Sequence, residues 1–372
     1  MHPQAKLARI AEELNNQFLE RTDLVDGALC ALLSGHHVLI IGPPGTAKSM
    51  LAEELCQRIE GAEYFQWLLT KFSTPEELFG AVSLKALEQD DYRRVTTHKL
   101  PEAHIAFLDE IFKANSSILN SLLTLINERL FHNGRQRLSV PLITVFGASN
   151  ELPDEDELTA LYDRFLLRFV VDYIAEDFRF LKMLEAVKPA TVTRLQFAEL
   201  EQLRQAVTEI PVPTTVMRSL ADLRRELKAQ QIVASDRRYR AALELLRAHA
   251  LLMQRHSVTE DDLLFLQHVL WKDPEERPKV RDIIQHLIKG YEEEARELLI
   301  QTQELQQYAS REWESPELRN RALIEAHTKI ANILVRFEML TRDASQSGRP
   351  LETVEGMRAQ IKQIQQSLLR QL

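Results

Sequence analysis

An apolar run, Val38-Leu39-Ile40-Ile41, ends in Gly42-Pro43-Pro44-Gly45-Thr46-Ala47 and passes at once into Lys48-Ser49 and the amphipathic stretch Met50 to Ile59. No other part of the chain limits its fold so strongly. A buried strand, a glycine turn and a helix start, in that order, make a cradle for the phosphates of a nucleoside triphosphate. Glycines let backbone N–H groups approach an anion at a helix N-terminus that already favours negative charge. In this reading Gly42, Pro43, Pro44, Gly45, Thr46, Ala47, Lys48, Ser49 and Met50 line the nucleotide. Lys48 reaches the β- and γ-phosphates, and the Ser49 hydroxyl ligates Mg²⁺. The residue before the lysine is usually glycine and here is Ala47. Alanine is at ease in right-handed helical φ/ψ, so the helix is expected to begin there. A plain glycine turn at a strand–helix junction is the alternative, and the Lys-Ser pair speaks against it.

Farther on, His104-Ile105-Ala106-Phe107-Leu108-Asp109-Glu110 is a second apolar run, ending in two carboxylates. Strands often end in solvated charges. After a phosphate cradle the pair takes on a role: Asp109 holds Mg²⁺, directly or through water, and Glu110 polarises the attacking water. A third run, Pro141 to Ala148, ends at Ser149-Asn150. Asn150 is placed to hydrogen-bond the water or the γ-phosphate, or else serves as a turn or cap residue. Next comes Leu161-Tyr162-Asp163-Arg164-Phe165-Leu166-Leu167-Arg168. An arginine there can stabilise γ-phosphate charge in the active site of a neighbouring subunit, an effect worth about 10³–10⁵ in rate where such fingers are measured. Arg164 is the first candidate and Arg168 the second; a surface salt bridge with Asp163 is the other reading.

The runs 38–41, 105–108 and 142–147 suit buried parallel strands. Helical patterns separate them, including Ile118 to Arg129. Strands alternating with helices predict an α/β sheet, with ligands beyond the carboxyl ends of its strands. Ile10 to Leu33 reads as one or two helices ahead of the first strand; Val25 and Leu29 there either pack on a nucleotide base or fill the core. Residues 176–188 read as helical up to Pro189, and Glu199 opens a further helical stretch that ends at Ile210-Pro211-Val212-Pro213. Beyond it the pattern is all helical. Ser235 is an expected N-cap for a helix from Asp236 to Gln254, and Val258-Thr259 opens another reaching Trp271. Past Pro278 three heptad-like seams appear: Ile284 to Leu305, Leu323 to Leu340 and Val354 to Leu368. They are broken near Ser315-Pro316 and near Ser345 to Pro350. They predict three antiparallel helices of roughly 40 Å at about 1.5 Å per residue, either a bundle that finishes the fold or an adaptor arm. The expected domains are 1–188 (nucleotide-binding), 189–273 (helical lid) and 274–372 (helical bundle or coiled-coil arm).

Composition sets bounds on function. The net charge of −9 argues against bulk binding of nucleic acid. No apolar run approaches the length of a membrane span, and Met1 to Leu7 lacks the pattern of a secretory signal. Cys30 and Cys56 sit on apolar helical faces, as core thiols in a reducing cytoplasm would. The eleven histidines show no ligand spacing. His36-His37 reads as a loop entering a strand rather than a metal pair.

Taken together, the chain resembles an AAA+ ATPase of the MoxR group, and within it the RavA-like branch. The resemblance is carried by Gly42 to Ser49, Phe72-Ser-Thr-Pro-Glu-Glu-Leu-Phe-Gly80, Phe107 to Ile111, Asn127-Glu-Arg129, Ala148 to Pro153, Tyr162 to Phe165 and Ser235 to Arg238, over about residues 5–272. In that group alanine commonly precedes the P-loop lysine. The resemblance implies an ATP-hydrolysing ring, usually a hexamer, with the site shared between subunits. It implies sensor 1 at Asn150, the trans arginine finger at Arg164 and sensor 2 at Arg237, with Arg238 adjacent. From the first turn of its helix Arg237 would reach back to the bound phosphates. It also implies a hairpin insertion at Pro75 to Leu100, a partner bearing a von Willebrand A domain, and a remodelling or chaperone role. ATP rather than GTP is the group's expectation, and the chain has no Asn-Lys-x-Asp guanine motif. A monomeric P-loop enzyme and a nucleotide-switched scaffold are the competing readings. The first leaves Arg164, Arg237 and the helical arm unexplained; the second leaves Glu110 without a task.

Overall fold

The computed structural model describes residues 2–153, 156–185, 192–313, 315–346 and 351–370. The chain divides into two compact units, 1–280 and 281–372.

In the first unit α1 (Pro3–Gln17) and α2 (Thr22–Ser34) precede the sheet, so the stretch 10–33 is two helices. Then follow β1 (Val38–Ile41), α3 (Lys48–Gln57), β2 (Ile59–Glu60), β3 (Tyr64–Leu68), α4 (Pro75–Phe79), α5 (Leu84–Leu87), β4 (Ile105–Asp109), α6 (Ser116–Glu128), β5 (Leu130–Asn133), β6 (Gln136–Ser139), β7 (Thr144–Ser149), α7 (Asp156–Tyr162), β8 (Leu167–Val170), α8 (Asp177–Glu185) and β9 (Leu195–Gln196). The central sheet has the order β3-β4-β7-β1-β8 and every pairing in it is parallel. Val38 stands opposite Phe146 on one side and Leu167 on the other. All of β1 and β7 is buried, and so is β4 up to Asp109. Strands covered on both faces must be apolar throughout, which is why they read as unbroken hydrophobic runs. Because β1 lies inside the sheet, the loop after it opens between the ends of its neighbours, where open α/β sheets bind ligands.

The insertion expected at 75–100 is a narrow antiparallel ladder, Val82 bridging Arg94, with the short helix α5 at its tip. It packs on the β5–β6 hairpin, where Phe79 stacks on Phe131 with ring centroids 5.5 Å apart and the Asn133 amide ties the two backbones together. Asn133 Oδ1 accepts the Arg94 N–H at 2.6 Å, and Asn133 Nδ2 donates to the Arg94 carbonyl at 3.1 Å.

Beyond β9 come α9 (Phe197–Glu209), α10 (Thr214–Ala229) and α11 (Asp236–Leu252). Ser235 caps α11, its hydroxyl accepting the Arg238 N–H at 3.3 Å. The stretch expected as a helix up to Trp271 is instead a 3₁₀ helix, Glu260–His268, started by a Thr259–Asp262 capping box. Buried Asp262 binds His249 and Arg255 as well, a side-chain demand that favours the tighter turn. The expected helix end at 186–188 and the break at Pro189 lie outside the described residues.

The helical segment α12 (Glu276–Ser310) begins in the first unit and is broken at Gly290, in the second, whose φ of 75° and ψ of 162° are not helical. The first seam is therefore two helices rather than one. From Tyr291 on, it packs with α13 (Pro316–Gln346) and α14 (Glu352–Leu369) around Ala295, Leu298, Leu323, Ile330, Phe337, Val354 and Ile361. Glu294 pairs with Arg336, and Glu338 with Arg358; the partners of each pair stand at similar distances from the connection between their helices, as in antiparallel neighbours. Three helices of 35, 31 and 18 residues, the first interrupted, do not share the single length of roughly 40 Å expected from the seams. The break expected near Ser345 to Pro350 lies, from 347 on, outside the described residues.

Among the described residues no helix is long and apolar enough to cross a membrane. Cys30 and Cys56 are free and buried, and burial pushes the Cys56 thiol up to about 12. His37 is buried, its Nδ1 accepting the Val145 N–H at 2.9 Å, so it belongs to the strand region and not to a metal pair.

Candidate active site

The end of β1 delivers the loop 42–47. A Cβ on Gly42 would stand 2.1 Å from the Val171 carbonyl oxygen, so only glycine lets the loop lie this close to the segment after β8. At Gly45, with φ at 81°, a Cβ would meet nothing within 4 Å, and the loop borders open space there. Ala47 departs from expectation. It is left-handed, at φ 62° and ψ 25°, and α3 begins only at Lys48. The chain must reverse over the end of β1 before a helix can start, and so tight a reversal needs a positive φ.

Lys48 is 8% exposed. Its ammonium donates to the carbonyls of Gly42 and Pro43 (3.0 Å to the latter) and to Asn150 Oδ1 at 3.3 Å. Burial lowers its pKa, while Asp109 and Glu110 pull the other way. Thr46 Oγ1 donates to the Pro43 carbonyl at 3.0 Å and so steadies the loop. Ser49 follows, half-buried, and Met50 is exposed.

Asp109 is the last residue of β4. Its Oδ1 accepts the Glu110 N–H at 3.0 Å, and its carbonyl accepts the Leu69 N–H at 2.9 Å. Glu110 is also left-handed, at φ 50° and ψ 45°. Its Oε1 accepts Asn150 Nδ2 at 2.7 Å, and its Oε2 lies 3.2 Å from Lys113 Nζ. Residues that follow β1, β4 and β7 thus form one row: Lys48, Asn150 and Glu110 joined by hydrogen bonds, with Lys113 ion-paired to Glu110 at its end.

The arginines stand apart from that row. Arg164 is half-buried with its Nε lacking a hydrogen-bond partner. Burial, and then Arg237 beside it, hold its pKa below the ordinary value, with Asp163 opposing. Arg237 does not reach back to the P-loop as expected; its Nη2 donates to Asn127 Oδ1 at the end of α6, at 3.1 Å. Arg168, the second finger candidate, is 2% exposed. It donates to the Trp271 and Tyr162 carbonyls and stacks on the Tyr162 ring at 3.9 Å. A side chain so enclosed cannot reach another subunit. Arg129 is spent likewise on the carbonyls of Gly35, Ile126 and Ile143 and on His37.

A cavity of about 420 Å³ adjoins the loop, lined by Glu20 to Leu24, Phe169 to Asp172, Ala175, Glu176, Arg179 and Arg277. Tyr173 Oη, close by, donates to the Pro44 carbonyl at 3.3 Å. Leu24 faces this space. Val25 and Leu29 do not: they are 0% and 1% exposed, inside the core.

Sequence reasoning missed Lys113 and the role of Arg238. The first had a signal, a lysine three residues after the carboxylate. Arg238 had one too, since it shares a helical stripe with Ala242 and Leu245.

Comparison with known proteins gives the family and the fold. A model of the MoxR domain in MoxR–vWA–β-propeller ternary systems matches residues 5–206. The chain belongs to the MoxR family of AAA+ ATPases. An AAA lid-domain model matches residues 215–284 of this MoxR chain. The architecture is the AAA+ one: a parallel α/β sheet, a helical lid and a C-terminal helical region. The chain is 42% identical over 293 residues to the uncharacterised protein MJ0079 of Methanocaldococcus jannaschii, covering 78% of this chain and 76% of that protein. It is 36% identical over 364 residues to MJ0812 of the same organism, covering 96% of each. Similarity to Chaperone MoxR1 of Mycobacterium tuberculosis is 28% over 172 residues, 45% of this chain and 44% of that one. The crystal structure of a candidate ATPase from Cytophaga hutchinsonii superposes with a TM-score of 0.62 at 16% identity, over 77% of this chain and 94% of that one. That likeness speaks for the fold alone.

Proposed function

We propose that this MoxR-family chain hydrolyses ATP with Mg²⁺ in a ring of like subunits, a hexamer on the family pattern, and uses the cycle to remodel a partner protein. The observation that carries the reading is the convergence of Lys48, Asn150 and Glu110 at the ends of three adjacent parallel strands. Glu110 takes the proton of the attacking water, and Asn150 holds that water or the γ-phosphate. Lys48 exchanges the carbonyls of Gly42 and Pro43 for phosphate oxygens. The backbone from Gly42 to Ser49 cradles the phosphates, and the cavity lined by Glu20 to Leu24 and Phe169 to Asp172 takes the base.

Ser49 and Asp109 fit Mg²⁺. Both offer hard oxygen, the donor type that Mg²⁺ takes. Held there, Mg²⁺ would neutralise charge on the phosphates of the substrate.

Arg164 serves the neighbouring subunit, with Arg237 beside it as a second cation for the same γ-phosphate. A von Willebrand A domain partner is supported by the ternary systems in which the matching MoxR domain occurs. The C-terminal helical unit, 274–372, is the adaptor in this scheme, following the nucleotide-binding domain 1–188 and the lid 189–273. A RavA-like place within the family rests on the same motifs, from Gly42 to Arg238, and on the helical material beyond the lid. Two buried, unpaired thiols suit a cytoplasmic setting.

Turnover measured against protein concentration, with particle size by light scattering, tests the scheme. Hydrolysis per subunit should rise as rings form and vanish in Glu110→Gln. Constant turnover from a monomer, or full activity in Glu110→Gln, refutes it.

A further inference from the structure

We infer that Lys113 is a positioning residue for the catalytic carboxylate: it tethers Oε2 of Glu110 and leaves Oε1 to face the attacking water. The inference rests on Glu110 being the base.

The local chain is built to bring these two side chains together. After Asp109 the backbone turns left-handed at Glu110 and enters a one-turn 3₁₀ helix, Ile111–Lys113. The Lys113 N–H closes that turn on the Glu110 carbonyl at 2.8 Å. Side chains three apart in such a turn eclipse one another, and Lys113 Nζ comes within 3.2 Å of Glu110 Oε2. Both ends of the turn are anchored. Ile111 is fully buried. Asn115, just beyond, caps α6 through the Ile118 N–H at 3.1 Å and donates to the Ser73 carbonyl at 2.8 Å. Lys113 therefore acts from a fixed base.

A second anchor matters because the last torsion of a glutamate is soft and roughly two-fold. With Asn150 alone the carboxylate plane would swing about one hydrogen bond. In the proposed cycle Asn150 and Lys48 both turn toward phosphate, and Asn150 then lets go of Oε1. Only Lys113 still holds the carboxylate, on the oxygen away from the water. The ion pair has little to do for the fold. The Lys113 side chain is 52% exposed, and exposed pairs contribute little stability, so its removal is a clean perturbation.

The test is steady-state ATP turnover by the full chain at a concentration where assembly is complete. Lys113→Ala should lower kcat roughly ten- to a hundredfold, the cost of a misplaced catalytic group, with KM for ATP nearly unchanged. Lys113→Arg should keep most of the activity. In a Glu110→Gln background the same alanine change should remove nothing further. Lys113→Met carries the test if alanine disturbs assembly. A kcat that is unchanged or higher in Lys113→Ala overturns the inference, the higher value marking a brake instead. So does a loss in Lys113→Arg equal to that in Lys113→Ala, or an effect confined to KM. A Glu110→Gln protein that still turns over at the wild-type rate would remove the base itself, and is read separately.

Discussion

Replacing Arg238 with alanine should loosen the junction between the lid and the sheet. The side chain leaves the first turn of α11 and is 6% exposed. Nε donates to the Val269 carbonyl at 2.5 Å, and Nη2 to the Phe165 and Leu166 carbonyls at 2.8 and 2.6 Å. Nη1 lies 3.4 Å from Asp163 Oδ1. Three short charge-assisted bonds at about 1.5–3 kcal/mol each give roughly 5–9 kcal/mol. The cost of the buried charge stands against them. Burial, and then Arg168 nearby, bring the guanidinium down to about 9, with Asp163 opposing, so the charged form is held at a cost that offsets part of that sum. Truncation also strands three buried carbonyls, and removing one partner of such a buried cluster costs about 3 kcal/mol. Urea unfolding is the assay: the midpoint should fall with the slope retained. Lysine keeps the charge but has no fork to span three carbonyls, so Arg238→Lys should lie between wild type and alanine. An Arg238→Ala midpoint within about 0.5 kcal/mol of wild type would refute the reasoning.

Ala47→Gly should stabilise the protein. A Cβ in left-handed backbone costs about 1–2 kcal/mol, and glycine gives back about 0.4–1 kcal/mol through its freer unfolded state. A gain of about 0.5–1 kcal/mol in thermal unfolding is expected; a loss would mean that the Ala47 methyl packs usefully. On the acid side, Glu13 is the group to watch. Burial raises its pKa, but hydrogen bonds from Thr193 and the Arg58 charge outweigh it and leave the value lowered. A carboxyl depressed in the folded state adds stability that is full above its unfolded value and is lost as pH falls through the folded one. Melting temperature should therefore depend less on acidic pH in Glu13→Gln than in wild type; parallel profiles would contradict this. Phe72 is 91% exposed, so Phe72→Ala should change stability by no more than about 0.5 kcal/mol, and a larger fall in urea midpoint would show hidden packing.

Much of the site was open to reading because its signals are local. The runs 38–41 and 105–108 are apolar at every position, as strands buried on both faces must be, and each is followed at once by the residues its chemistry needs, Gly42 to Ser49 and Asp109-Glu110. The handedness at Ala47 was hidden, because a residue with a Cβ defaults to right-handed φ/ψ and only the reversal over β1 overrules it. Which of Arg237 and Arg238 turns inward is a matter of helix phase. One residue is about 100° of rotation, and Arg238 falls on the stripe of Ala242, Leu245 and Leu246. The family pattern drew attention to Arg237 instead. The first C-terminal seam looked continuous through Ile284, Ile288 and Tyr291, because an apolar period does not register a single glycine dihedral. The hydrogen bond from Arg237 to Asn127 spans 110 positions, a distance at which no sequence period speaks.

The arginines also make the subunit-sharing question decidable. Arg164 and Arg237 lie near enough to repel. Asp163, the carboxylate at hand, is turned to Arg168 and Arg238, at 3.8 and 3.4 Å. Arg237 has only a neutral amide, and Arg164 Nε has no hydrogen-bond partner. Two guanidinium groups held together in this way favour the arrival of an anion. The row that handles phosphate within the chain is Lys48, Asn150 and Glu110, and neither arginine belongs to it. If the anion is a neighbour's γ-phosphate, the two halves of the site can be broken in different subunits. Arg164→Ala should lower turnover by about 10³ or more, as loss of a finger does, and Glu110→Gln should abolish it. Mixed in equal amounts and allowed to exchange, the two inactive variants should regain activity. An intact base from one then meets an intact arginine from the other at about one quarter of randomly formed interfaces. Recovery of that order, seen only after exchange is verified by light scattering and subunit labelling, places the arginine in trans. Mixed rings that stay inactive would place Arg164 in the service of its own chain, and the ring would lose its catalytic reason to exist.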